Sequence, residues 1–176
     1  MAFVTGTVAP DFTLPGTDGK TYGLAEYADR PVMVVVFTCN HCPYAQAWED
    51  RLLKVGSKYG PRGVGMVLIS ANDPEKYPED NFEAMQQRAK ERDYPIPYLF
   101  DSTQVVARAY GAQRTPEVFV FDASRELRYH GLVDDSDDPA HVHTNYLRDA
   151  IEALLSGQPV AVTETQPEGC TIKWKA

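Results

Sequence analysis

The stretch FTCNHCPYAQ (37–46) places Cys39 and Cys42 three positions apart, at the end of an apolar run and just before residues with helical periodicity. Thiols so placed can exchange a disulfide, hold a metal ion or reduce a peroxide. A strand delivering Cys39 to a helix start would bring it unpaired N–H groups and the positive end of the helix dipole, which stabilise a thiolate. Cys39 is therefore the expected acidic thiol. Cys42, about one turn further on and on the same face, is expected to be more buried and close enough to bond to it, which is the resolving position. Pro43 is tolerable only in a first turn, so the helix is expected to begin near Asn40.

The elements that must hold this pair can be read along the chain. DFTLPGTDGKTYGL (11–24) reads as a small N-terminal hairpin around Asp18-Gly19. PVMVVVF (31–37), VGMVLIS (64–70) and EVFVFD (117–122) are apolar runs without polar alternation, as strands covered on both faces should be. From Tyr44, the residues Trp48, Leu52, Val55 and Tyr59 recur at helical spacing and Gly60-Pro61 ends the segment, completing a strand–helix–strand unit. Further helices are expected at 78–92, from Asp101 with a capping box to Gln104 and a stop at Gly111, and at 143–157 with Tyr146, Leu147, Ile151, Leu154 and Leu155 inward. ELRYHGL (126–132) is expected to pair antiparallel with 117–122. The tail, about 158–176, has little periodicity, and its CTIKW could form a short edge strand. The expectation is an α/β fold with a central mixed sheet flanked by helices, in a single domain over 1–176.

Composition narrows the partners. The chain carries 25 acidic side chains against 17 Lys and Arg, a net charge of −8, and its basic residues form no patch that could track phosphates. No nucleic-acid partner is expected. The longest apolar run, 32–37, is far short of the roughly 20 residues that span a bilayer, and 1–10 lacks a leader's basic and apolar regions. A cytoplasmic protein with no membrane association is expected. Three cysteines cannot pair completely, so a stapled framework explains them poorly.

CNHCP after an apolar strand, RTPEVFVFD about seventy residues on and APDFTLPGTDGK near the start together resemble the thioredoxin superfamily. The branch resembled is that of alkyl hydroperoxide reductase and thiol-specific antioxidant proteins, including the TlpA-like disulfide reductases. The resemblance implies a thioredoxin-like fold with an N-terminal β-hairpin extension. It also implies that Cys39 attacks a substrate disulfide, that Cys42 resolves the mixed disulfide, and that Thr115-Pro116 is a cis bond facing the pair, with the Thr115 backbone free to bond an extended substrate. No cofactor is implied; the partners would be disulfide-containing proteins or small thiols, with a cellular dithiol or a thioredoxin-reductase-type electron donor. GCTIKW is similar to the branch's C-terminal signature, which makes Cys170 a candidate third redox thiol. Asn40, His41, Pro43, Thr115 and Pro116 are expected to shape the site.

The departures matter too. No acid lies within 31–37, where thioredoxin keeps a buried carboxylate, so the group that moves protons for Cys42 is unassigned. His41, immediately before the second cysteine, is similar to the histidine that helps hold the thiolate in protein disulfide isomerase. On that basis the Cys39 pKa is expected below the free value of about 8.5, and the pair less reducing than thioredoxin's roughly −270 mV. Arg114 could add positive potential over the thiolate.

Two rivals are weighed. A thiol peroxidase of peroxiredoxin type would carry Thr-x-x-Cys, but Val36 and Cys39 occupy those positions ahead of Cys39 and Cys42. A metal-carrying or redox-sensing module would use the cysteines with a histidine such as His130, His141 or His143, yet His141 and His143 sit beside the acidic DDSDDP, and no metal site is expected. NDPEKYPED (72–80) reads as a solvated loop rimming the cleft.

Overall fold

The computed structural model describes residues 4–176. The N-terminal hairpin pairs β1 (Thr13–Pro15) with β2 (Thr21–Gly23) antiparallel. Gly19 sits at φ +84°, a conformation that disfavours any side chain. The link spans 16–20 rather than a two-residue turn, and the Gly16 N–H closes it on Lys20 O at 2.7 Å.

Next come β3 (Val32–Thr38), α1 (Pro43–Tyr59) and β4 (Val64–Ser70), with β3 and β4 parallel and every residue of both buried. They are followed by α2 (Phe82–Glu91), β5 (Tyr98–Phe100) and α3 (Val105–Tyr110). The chain continues through β6 (Arg114–Thr115), β7 (Glu117–Phe121), β8 (Leu127–Gly131), α4 (Tyr146–Leu155) and β9 (Cys170–Thr171). The main sheet has the order β5-β4-β3-β7-β8, parallel from β5 to β3 and antiparallel from β3 to β8. Among the described residues no helix is long and apolar enough to cross a membrane.

Strand alternation sorts β3 into two cores. Val32, Val34 and Val36 pack with Trp48, Leu52 and Val55 of α1 and with Leu147 and Ile151 of α4. Met33, Val35 and Phe37 face the other way, onto Phe12, Leu14, Ala107 and Tyr110. The Tyr110 ring is the hub there, with its centroid 5.6 Å from those of Phe37 and Phe119. Both faces of β3 are thus apolar, which is why its sequence shows no polar alternation.

Helix starts lie later than the sequence implied. The expectation of a helix beginning near Asn40 is corrected: Cys42 caps α1 and Pro43 is its first residue, where a missing N–H costs no hydrogen bond. At 78–92 a short 3-10 turn, Pro78–Asp80, comes first, and α2 starts behind Asn81, whose side chain accepts the Ala84 N–H at 2.8 Å. The expected Asp101–Gln104 capping box is replaced. Gln104 adopts φ +66°, and Asp101 instead accepts the Ala107 N–H at 2.8 Å, so α3 begins at Val105. β5 was not anticipated, because a three-residue strand behind Pro95 and Pro97 is too short to show a period.

The tail is ordered over the sheet. Thr163 and Thr165 exchange backbone hydrogen bonds with His130, covering the open edge of β8, and β9 pairs antiparallel with β6. Leu52, buried between α1 and the sheet, tests the larger core. Leu52→Ala is expected to lower unfolding free energy by about 2–5 kcal/mol in urea titrations, with an unchanged dependence on denaturant.

Candidate active site

The register of β3 against β7 sets the site. Phe37 stands opposite Glu117, so the same antiparallel count brings Cys39 opposite Thr115, whose bond to Pro116 is cis. The Cys39 Sγ lies 3.6 Å from Thr115 Oγ1, and the Cys42 Sγ lies 3.7 Å from the Thr115 carbonyl oxygen. β9 brings Cys170 opposite Thr115 from the other side. All three cysteines therefore pack together, with Ala45 beneath them.

The disulfide in this state is Cys42–Cys170, and Cys39 is a free, buried thiol. The expected Cys39–Cys42 bond is thus not the one present. Residues 39–42 are an irregular connection ahead of the helix, not its first turn, and 128 residues of chain return Cys170 to Cys42. The Thr115 backbone, expected to be free, is already paired with the tail.

The Cys39 thiol also differs from expectation. Its pKa is pushed up to about 11, by burial first and then by the negative charge of Asp80. The hydrogen bond with Thr115 and the backbone N–H groups of Cys42 and His41 oppose that rise without overcoming it. With the Cys39 side chain only 4 % exposed, desolvation of the thiolate outweighs the nearby donors. A depressed thiol pKa, on which the comparison with thioredoxin's potential rested, is absent here.

Asp80 is the residue that the sequence reading missed. The stretch 72–80 was expected to be solvated, yet Asp80 is fully buried. It accepts the Asn40 N–H at 2.7 Å, the His41 N–H at 3.3 Å and the Asn72 side-chain amide at 3.0 Å. The His41 Nδ1 shares a further hydrogen bond with it. His41 is thereby turned toward the carboxylate, and its ring stacks on Tyr77 with centroids 5.4 Å apart. Asn40 is buried, donating to Glu79 O at 2.9 Å and accepting from the Tyr98 hydroxyl at 2.7 Å. The one signal available was an acid beside the capping Asn81, which does not say which way the acid points.

A second buried acid, Glu117, follows Pro116. It accepts the N–H groups of Gln113 and Arg114, each at 2.9 Å, and pairs with His130 at 2.6 Å. His130 is thus a partner of the core acid. His141 pairs with the exposed Asp138. Among the described residues Cys39, His41 and Asp80 bring one donor atom each within 4.8 Å of one another, although the carboxylate is already committed to the hydrogen bonds above. Arg114 is exposed and reaches Gly169 O at 3.2 Å, so it holds the tail.

A cysteine at the end of the central strand, facing a cis-proline loop across a mixed sheet, defines a thioredoxin-like protein with a redox thiol centre. The chain belongs to the AhpC/TSA family, whose pattern matches residues 5–130. It is 27 % identical over 108 residues to a chloroplastic peroxiredoxin Q of Gentiana triflora, covering 60 % of this chain but only 45 % of that protein. It is 23 % identical over 129 residues to the thiol-disulfide oxidoreductase ResA of Geobacillus thermodenitrificans, covering 72 % of this chain and 68 % of that one. Among solved structures it resembles a hypothetical protein of Sinorhizobium meliloti, with TM-score 0.94, 38 % identity, and 100 % and 97 % of the two chains covered. An uncharacterized conserved protein of Geobacillus kaustophilus gives TM-score 0.90 and 41 % identity over 98 % and 93 %. Family and fold together place this chain among redox proteins of the oxidoreductase and peroxidase type.

The charge on Asp80 has a measurable consequence, because Cys39 is the free thiol in the oxidised chain. Its alkylation by iodoacetamide should climb with pH toward an inflection near 11. Asp80→Asn removes the anion, moves that inflection down and should speed alkylation at pH 8 about tenfold. An unchanged or slower rate would show that Asp80 does not act on the thiol.

Proposed function

We propose that the protein is a thiol–disulfide oxidoreductase whose three cysteines pass one disulfide among themselves. The observation that carries this reading is a free thiol, Cys39, packed with a Cys42–Cys170 disulfide against Thr115. In the reduced chain the Cys39 thiol gives up its proton and attacks a substrate disulfide, forming a mixed disulfide and releasing the first substrate thiol. Cys42 then attacks the Cys39 sulfur, which forms Cys39–Cys42 and releases the second. Cys170 attacks the Cys42 sulfur, so the Cys42–Cys170 bond forms and Cys39 leaves, taking up a proton as a thiol. Two electrons have passed to the substrate, and the disulfide described here is the final product. A dithiol donor, a cellular dithiol or a thioredoxin-reductase-type protein, restores the cycle at the partly buried Cys170.

In this scheme the high Cys39 pKa belongs to the closed, oxidised state. Exchange proceeds through thiolates, so a protonated Cys39 holds the relay at Cys42–Cys170 until a donor arrives. The likeness to ResA supports the disulfide substrate; the likeness to peroxiredoxin Q supports a peroxide instead. The missing Thr-x-x-Cys spacing weighs toward the disulfide.

An insulin-reduction assay, run beside peroxide consumption, separates the two readings. The wild-type chain should reduce insulin with dithiothreitol as donor, and Cys39→Ser should fall to the background rate. Peptide mapping of the oxidised proteins should find Cys42–Cys170 in the wild type and Cys39–Cys42 in Cys170→Ser. Peroxide consumption without insulin reduction would replace this reading with the peroxidase one, and absence of the Cys39–Cys42 bridge would remove the relay.

A further inference from the structure

The segment from Gly169 to Lys173 is laid against the site as an added strand. Thr115 pairs with Cys170 and Arg114 with Thr171, and the Ile172 N–H donates to Gln113 O at 2.9 Å. Its other edge is held from the loop behind β4, with the Lys173 N–H on Asn72 Oδ1 at 2.9 Å and the Asp73 N–H on Lys173 O at 2.8 Å. Gln104, turned out of the α3 cap, donates to Lys173 O at 3.0 Å and accepts the Lys175 N–H at 3.0 Å. Most of these contacts are to the segment's backbone, which any polypeptide could supply. Within it only Ile172 is fully buried.

Two positions are not interchangeable. The cysteine must stand opposite Thr115, because only there does its sulfur meet Cys42. The residue before it must be glycine: a Cβ on Gly169 would lie 2.2 Å from Thr115 O and 2.9 Å from Thr115 C, both backbone atoms fixed by the sheet. A tail whose role was only to cover the sheet would need neither requirement, nor a bond that thiols can cut.

The geometry points to the segment 169–173 being an internal stand-in for substrate: the groove between 113–115 and 72–73 takes extended polypeptide with glycine directly before the reacting cysteine, and opens to it only when the Cys42–Cys170 bond is cut. This rests on the thiol–disulfide reading above. Reduction of that bond by a dithiol converts it to two thiols and the dithiol to its disulfide. The strand is then held by hydrogen bonds alone, so a matching segment competes with a tethered one.

The test uses the full chain and two synthetic probes, the peptide QPEGCTIKW and its Gly→Val counterpart, each carrying thionitrobenzoate on its cysteine as a coloured leaving group. With reduced Cys170→Ser protein, the glycine peptide should release the group about tenfold faster than the valine peptide. Adding Gly169→Val, which ejects the protein's own strand, should raise the glycine-peptide rate by about the same factor, while reaction with a small disulfide such as 5,5′-dithiobis(2-nitrobenzoate) stays constant. In the unmodified chain, dithiothreitol should speed hydrogen exchange at Ile172 and Lys173 at least about tenfold. Equal rates for the two peptides, no gain from Gly169→Val, or unchanged exchange on reduction would each overturn the proposal. Failure to react with the small disulfide would overturn the exchange reading itself, and the proposal with it.

Discussion

The antiparallel register between β3 and β7 is the constraint on which the site depends. It puts Cys39 opposite Thr115, and Thr115 is the residue that both neighbouring segments also use. Its carbonyl faces the Cys42 sulfur, and its backbone pairs with Cys170. A slip of one residue would turn Val32, Val34 and Val36 to the wrong core and break this meeting at the same time. The two apolar faces of β3 therefore do more than stabilise the sheet. They fix where the thiols converge.

Around that point the molecule is closed rather than poised. Burial and the Asp80 charge keep the free thiol protonated, and the disulfide partner of Cys42 comes from the far end of the chain. The buried carboxylate is stable there because Asn40, His41 and Asn72 satisfy it, so the same hydrogen bonds that shape residues 40–41 also bring the charge that disfavours a thiolate. His41, whose position invited a role in holding the thiolate, is committed to that carboxylate instead. Thiol reactivity thus depends on the tail and on Asp80 together, two features distant in sequence from the cysteine pair.

The relatives are consistent with a centre of this kind without selecting one substrate. A thiol–disulfide oxidoreductase and a peroxiredoxin share the family, and they differ in which groups surround the attacking sulfur. In this chain those groups are Thr115, the Cys42–Cys170 bond and the Asp80 cluster. An arrangement with two further thiols in contact is suited to moving a disulfide.

Much of this was legible in the sequence. The apolar runs announced β3, β4 and β7, because strands buried on both faces need continuous β-branched and aromatic residues. Pro43 located a helix start to within a few residues, and the spacing of Trp48, Leu52, Val55 and Tyr59 showed which face of α1 turns inward. Cys39, Cys42, Thr115 and Pro116 were named from their motifs, and the structure brings them together. Cys170 was named only as a candidate, since nothing local says where a sparse, aperiodic tail will lie. Which cysteine it joins, the burial of Asp80, the turn of His41 away from Cys39 and the strand laid over Thr115 came from tertiary structure alone. The physical reason is the same in each case. Local propensity and hydrophobic period act over a few residues, whereas these contacts join segments from about 40 to 128 residues apart and exist only once the sheet has set their register.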